Sequence, residues 1–276
     1  MQHSELLLVL DFGSQYTQLI ARRVRELGVY SEIHPFNISI DKIRSLRPFG
    51  IILSGGPSSV YESGAPKPSP EVLNLGIPVL GICYGLQLIA EQLGGKVDSF
   101  ARREFGKAVL HVDKGDDLLQ GLDGSTTVWM SHGDSLSQMP EGFEPIAHSD
   151  NAPICAIRNS AKKIFGVQFH PEVAHTLQGK RVLANFLSNV CGARGDWTPA
   201  HFVQQSTKEI RERIGSARVL CALSGGVDSS VLAVLLHEAI GDQLHCIHIN
   251  NGLTREGESE GVVETFRKSY HIKLTY

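Results

Sequence analysis

"GIPVLGICYGLQLIAEQLGG", residues 76–95, is the stretch on which the fold turns. Residues 77–82 are an apolar burst short enough for one buried strand. The chain then turns abruptly at Cys83, and from Tyr84 the apolar residues continue as a helix closed by Gly94 and Gly95. The same grammar surrounds it. "ELLLVLDF" at 5–12 and "FGIILSGG" at 49–56 are short apolar runs that break into polar or glycine turns. Between them Tyr16, Leu19, Ile20, Val24 and Leu27 recur at helical spacing, with Gly28 as the stop. Strands separated by helices predict a parallel α/β sheet.

From 96 to 170 the pattern changes. "GKAVLHV", "TTVWM", "FEPIAHS", "PICAIRN" and "KIFGVQF" read as strands with few helices between them, so a mixed edge or small antiparallel extension is expected. "TLQGKRVLANFLSNV" at 176–190 restores a helix. "CGARGDWTP" at 191–199 mixes glycine, charge and proline as a boundary does, which divides the chain into domains 1–195 and 196–276. The second region has a helix over about 201–214, a strand at 218–223, an apolar helix and a strand at 244–249. A helix near 258–270 follows, then strand-like "HIKLTY". Three strands with partial helical cover make a small core, so the protein is expected to continue past Tyr276.

Composition excludes several functions. Of 276 residues 42% are hydrophobic and 20% charged, which suits a folded chain. Lysine plus arginine number 26 against 29 acidic residues, a formal charge of -3 that draws neither nucleic acid nor anionic membrane. Five widely spaced cysteines show no metal-like pairing and suit a reducing compartment. The apolar run near the N-terminus is too short to span a membrane and lacks a basic start, so the expected location is the cytoplasm.

Three constellations carry chemistry. Cys83, flanked by Gly81 and Gly85, sits where a strand feeds straight into a helix, the elbow geometry that thrusts a nucleophile outward; the alternative is an ordinary core cysteine. The helix start supplies unpaired N–H groups that favour thiolate. "GVQFHPEV" places His170 and Glu172 two apart at a strand end, on one face if extended, as a proton shuttle and its orienting carboxylate. "ILSGGPSS" puts Gly55 and Gly56 at another strand end, where backbone N–H groups could hold an oxyanion together with that of Tyr84. The polar loop "WMSHGDS" offers His132 as a second histidine, without a carboxylate to orient it, and Asp134 as a group that holds ligand.

"LSGGVDSS" at 223–230 follows a buried-looking strand and opens an apolar helix, which makes an anion cradle of its N–H groups. Ser224, Ser229 and Ser230 can donate to phosphate, and Asp228 would face it only through Mg²⁺. The ending of a Walker loop and the spacing of a dinucleotide fingerprint are both absent. A simple capped helix needs only one such residue.

These segments together resemble the N-terminal part of the glutamine-hydrolysing GMP synthases. "LDFGSQYTQLIARRVRELGVY", "IILSGGP", "GICYGLQ", "WMSHGD", "GVQFHPEV", the "WTP" linker and "LSGGVDSS" carry the likeness over essentially all 276 residues. The resemblance implies a class I glutamine amidotransferase domain with a flavodoxin-like mixed sheet. It also implies part of a parallel α/β domain like the adenine nucleotide alpha hydrolases, a truncated ATP pyrophosphatase. It implies Cys83, His170 and Glu172 as the catalytic triad, Gly56 and Tyr84 as the oxyanion hole, and Gln87 on the glutamine-site helix. Ser224, Gly225, Gly226, Val227, Asp228, Ser229 and Ser230 match the pyrophosphate loop, with Asp228 as the Mg²⁺ contact. Substrates would be glutamine, ATP and XMP, and the full-length enzyme a homodimer completed by a C-terminal domain. Asn250 in "IHINNGL" departs from the family's aspartate and removes one negative charge. The alternatives are another glutamine-dependent, ATP-adenylating ligase of the NAD synthetase kind, or a non-catalytic nucleotide-binding regulator.

Overall fold

The computed structural model describes residues 5–276 and divides into two compact units, the first ending at Trp197 and the second running Thr198–Tyr276. The first is built on β1 (Leu6–Asp11), α1 (Thr17–Glu26), β2 (Tyr30–Pro35), α2 (Ile40–Leu46), β3 (Gly50–Leu53), β4 (Val79–Ile82) and α3 (Tyr84–Gln92). Then come β5 (Lys96–Val112), β6 (Ser125–Gln138), β7 (Glu144–Ser149), β8 (Ala156–Asn159), β9 (Ile164–Val167) and α4 (Gly179–Asn185). Nine strands form one sheet in the order β2-β1-β3-β4-β9-β8-β7-β5-β6. The strands from β2 to β9 pair in parallel, and β8, β7, β5 and β6 are added antiparallel.

The central strands β3, β4 and β9 are apolar and buried at every position, and β1 is so up to Leu10, because both faces are covered. Leu7 and Val9 of β1 point into one core with Ile20 and Val24 of α1 and Leu183 of α4. Leu8 and Leu10 point into the other with Ile43 of α2 and Leu86 and Ile89 of α3. Each such side chain contributes about 1.5–3 kcal/mol by leaving water, and together they fix the parallel register.

The antiparallel part is larger than the sequence reading allowed. "GKAVLHV" and "TTVWM" are pieces of one long hairpin, β5 and β6, of 17 and 14 residues. "WMSHGDS", read above as a loop, lies inside β6. Its period-two burial continues from Val128 and Met130 to His132 and Asp134, so two polar residues occupy positions that face inward. The expected helix at 176–190 is regular only over Gly179–Asn185 and ends in a wider π turn, Phe186–Val190.

The second unit contains α5 (Pro199–Ile214), β10 (Val219–Ala222), α6 (Val227–Ile240), β11 (Leu244–Ile247), α7 (Glu258–Glu264) and β12 (Leu274–Thr275). Its three strands are parallel in the order β10-β11-β12. Cys221, Leu223, Ala233, Leu236, Ile240, Cys246 and Phe266 form its core. All five cysteines of the chain are free thiols. No helix among the described residues is long and apolar enough to cross a membrane.

Candidate active site

The elbow at Cys83 is strained and tightly built. Cys83 has φ 53° and ψ −106°, a conformation that side-chain-bearing residues rarely adopt. The flanking glycines are required by space. A Cβ on Gly81 would lie 2.5 Å from the carbonyl carbon of Gly85, and one on Gly85 would lie 2.3 Å from the carbonyl oxygen of Leu53. Only bare backbone lets β4 reverse into α3 against β3. The Cys83 N–H donates to the Val167 carbonyl at 2.8 Å, which ties the elbow to β9.

Just past the end of β9 the chain delivers the other two predicted residues. His170 is 4% exposed and Glu172 fully buried, and the Nδ1 of His170 lies 2.8 Å from Glu172 Oε1. The His170 N–H donates to the Trp129 carbonyl at 3.0 Å, its carbonyl accepts from the Thr176 hydroxyl at 2.6 Å, and Tyr16 packs edge-on against the ring. Burial by itself would depress the imidazole pKa. The neighbouring Cys83 sulfur and the hydrogen-bonded Glu172 carboxylate overcome it and push it up to about 10. Imidazole and carboxylate are hydrogen-bonded, and the thiol lines the same hollow as the ring, so Glu172 holds the Nδ1 hydrogen and leaves Nε2 for the sulfur. Gln168, also fully buried, donates to the Cys83 sulfur at 3.7 Å.

Cys83 opens onto a cavity of about 500 Å³ whose walls include Gly56, Tyr84, Gln87, His132 and Asp134. A second hollow of about 360 Å³ reaches the same sulfur from the side of Ser14, Tyr16 and His170. Of the residues predicted for the first unit, Gly56, Tyr84, Gln87, His132 and Asp134 line the first cavity with Cys83, His170 lines the second, and Glu172 lies behind His170. Some are already engaged. Asp134 accepts from the hydroxyls of Ser59 and of Tyr61, the latter at 2.8 Å, and its carbonyl accepts from Gln87 Nε2 at 3.0 Å. The carboxylate missing beside His132 is supplied across the hairpin. Glu104 of β5 is its register partner, with Oε2 3.4 Å from His132 Nε2. Ser59, Tyr61, Glu104 and Gln168 were not among the sequence candidates. They lie in a loop, a charged run and a strand end, with no spacing that marks them.

In the second unit the residue before α6 is Gly226, which caps the helix without a side-chain hydrogen bond. The serines instead bind one another and the loop: Ser224 and Ser229 hydroxyls are 2.9 Å apart, and Ser230 donates to the Gly226 carbonyl at 2.8 Å. Asp228 is exposed in the first helical turn and has no hydrogen bond or ion pair among the described residues. Val227 belongs to the helix and is exposed. Asn250 folds back on its own turn, its Oδ1 accepting from the Gly252 N–H at 2.9 Å.

A strained cysteine elbow in the parallel half of a mixed sheet, set beside a buried His–Glu pair, defines a thiol amidohydrolase of the glutamine amidotransferase kind. The chain belongs to the class-I glutamine amidotransferase family, whose model matches residues 8–190. Residues 217–268 match the tRNA methyl transferase HUP domain, so a HUP-type α/β domain follows. Over 273 residues the chain is 54% identical to the glutamine-hydrolysing GMP synthase of Staphylococcus carnosus and 55% identical to that of Staphylococcus aureus strain Newman. These alignments cover 99% of this chain and 53% of each relative, so the chain spans about half their length. A solved structure from Thermoplasma acidophilum, described as a GMP synthase subunit, is 30% identical with a TM-score of 0.63, covering 74% of this chain and all of that one. A Thermotoga maritima glutamine amidotransferase, 18% identical with a TM-score of 0.56, shares the fold.

Proposed function

We propose that this chain carries the glutaminase of a glutamine-hydrolysing GMP synthase together with the pyrophosphate loop of its nucleotide site. The observation that supports the reading most strongly is the buried Cys83–His170–Glu172 relay at the floor of an open cavity. In this reading Cys83 gives its thiol proton to His170 and its Sγ attacks the side-chain amide carbon of glutamine. The resulting oxyanion is held by the backbone N–H groups of Gly56 and Tyr84. His170, stabilised as imidazolium by Glu172, gives its proton to the departing nitrogen, and ammonia leaves a glutamyl thioester. His170 then takes a proton from water as the water attacks that thioester, and glutamate is released with the thiol restored. Gln87, His132 and Asp134 line the glutamine pocket.

The second unit would bind ATP. The loop Ser224–Ser230 presents the N-terminus of α6, a 14-residue helix, to the pyrophosphate. Asp228, an exposed carboxylate with no ion pair among the described residues, is the group that would hold Mg²⁺. Such an ion would neutralise phosphate charge.

The full-length protein would then adenylate XMP with ATP and use the ammonia to displace AMP, giving GMP, AMP, pyrophosphate and glutamate. XMP binding and homodimer formation are assigned to the longer protein. Holding both sites in one chain keeps water from competing for the activated purine. Cys83→Ala is expected to bring ammonia release from glutamine to background. Unchanged release would sink the nucleophile assignment, and a full-length protein that fails to aminate XMP would sink the synthase.

A further inference from the structure

Two buried atoms beside the cavity face each other with no hydrogen-bond partner among the described residues: His132 Nε2 and Glu104 Oε2, 3.4 Å apart. Their other contacts decide what lies between them. His132 Nδ1 is 3.0 Å from the Asp134 carbonyl oxygen, which can only accept, so Nδ1 carries a hydrogen. Glu104 Oε1 is occupied by two donors, the Ser149 hydroxyl at 3.0 Å and Asn151 Nδ2 at 3.1 Å. With Nδ1 protonated, an Nε2 lone pair would lie 3.4 Å from a carboxylate oxygen, both atoms buried. That arrangement is repulsive, and a single proton between the two atoms removes the repulsion.

We propose that Glu104 is a positioning residue for the glutamine pocket: it shares one proton with His132, and this bond locks the ring that holds the Asp134 carbonyl and with it the Ser131–Asp134 wall. The inference rests on the glutaminase reading above. The mechanics follow from connectivity. The Asp134 carbonyl accepts from both His132 and Gln87, so it joins β6 to α3 across the cavity. Glu104 anchors the ring from the neighbouring strand β5, immediately after a register shift between Ser99 and Glu104. The backbone of Cys83 is tied to Val167 and that of His170 to Trp129, contacts that do not pass through Glu104, while among the described residues the Cys83 thiol touches the wall only at the Ser131 carbonyl, 3.7 Å away.

The test uses the full chain and ammonia release from glutamine. Glu104→Ala leaves the imidazole lone pair unpaired, and the wall loosens: the KM for glutamine is expected to rise roughly tenfold, with kcat held within about threefold. Glu104→Gln places an N–H donor against Nε2 in the same volume and is expected to restore KM to within about threefold of the parent. An unchanged KM in Glu104→Ala, a loss confined to kcat, or a Glu104→Gln variant as impaired as the alanine would overturn the positioning role. If thermal melts show the alanine variant unfolded, the folded glutamine variant decides. Collapse of both assigns Glu104 to the fold alone and ends the proposal. Should the parent chain release no Cys83-dependent ammonia, it is the glutaminase reading that falls.

Discussion

His170 and Cys83 show how much one residue's surroundings decide. His170 gains its proton affinity from a sulfur and a carboxylate, against the opposing effect of burial. Its pKa is raised from 6.5 to about 10, so its contribution to stability is complete below about pH 6.5 and is lost as pH rises through about 10. Melting temperature should therefore fall across that window. Glu172→Gln should flatten the fall, since one of the two groups that raise the pKa is removed. The same substitution should lower kcat for glutamine roughly 10²–10⁴-fold while leaving KM near the parent value, because an amide cannot stabilise the imidazolium. Steady-state ammonia release checks this, and a kcat unchanged in Glu172→Gln would remove the carboxylate from the relay. At Cys83 itself the backbone is the lever. Glycine usually destabilises relative to alanine, but a φ of 53° reverses the order. Cys83→Gly should unfold at higher denaturant than Cys83→Ala by about 1 kcal/mol, with both inactive.

At the scale of elements the elbow works because β4, α3 and β3 approach to backbone contact. Gly81→Ala or Gly85→Ala would drive a methyl to within 2.5 Å of backbone atoms, so either should cost about 3 kcal/mol, at the upper end of overpacking penalties, read by urea denaturation. The elbow and "FHPE" were legible beforehand because each is a local pattern: glycines at fixed offsets, and a His and Glu two apart at the end of an apolar run. The β5–β6 hairpin was underestimated. Its segment "FARREFG" yielded no candidate residue, yet Glu104 is 6% exposed because its strand partner brings His132 beside it. No spacing within the chain announces a contact between residues 28 positions apart.

Across the whole molecule the two units differ in the core each can bury. The first has a nine-stranded sheet covered on both faces, and the second has three strands and leaves Leu220, Val227, Val231 and Ile249 largely exposed. Calorimetry is expected to resolve two transitions, the lower belonging to the second unit. ATP with Mg²⁺ should raise only that lower transition, and Asp228→Asn should weaken the shift. A single transition that ATP leaves unmoved would contradict the nucleotide reading. What the sequence by itself determined was the alternation of strands and helices, the place of the thiol, the histidine–glutamate pair and the glycine–serine turn that opens α6. All of these are written in residues a few positions apart, where backbone sterics and periodicity act directly. Tertiary structure alone decided that β9 lies beside β4, so that His170 meets Cys83, and that Ser59, Tyr61 and Glu104 close around the cavity. Those contacts follow from which strands pair, and pairing is settled by burial on both faces of the sheet at once.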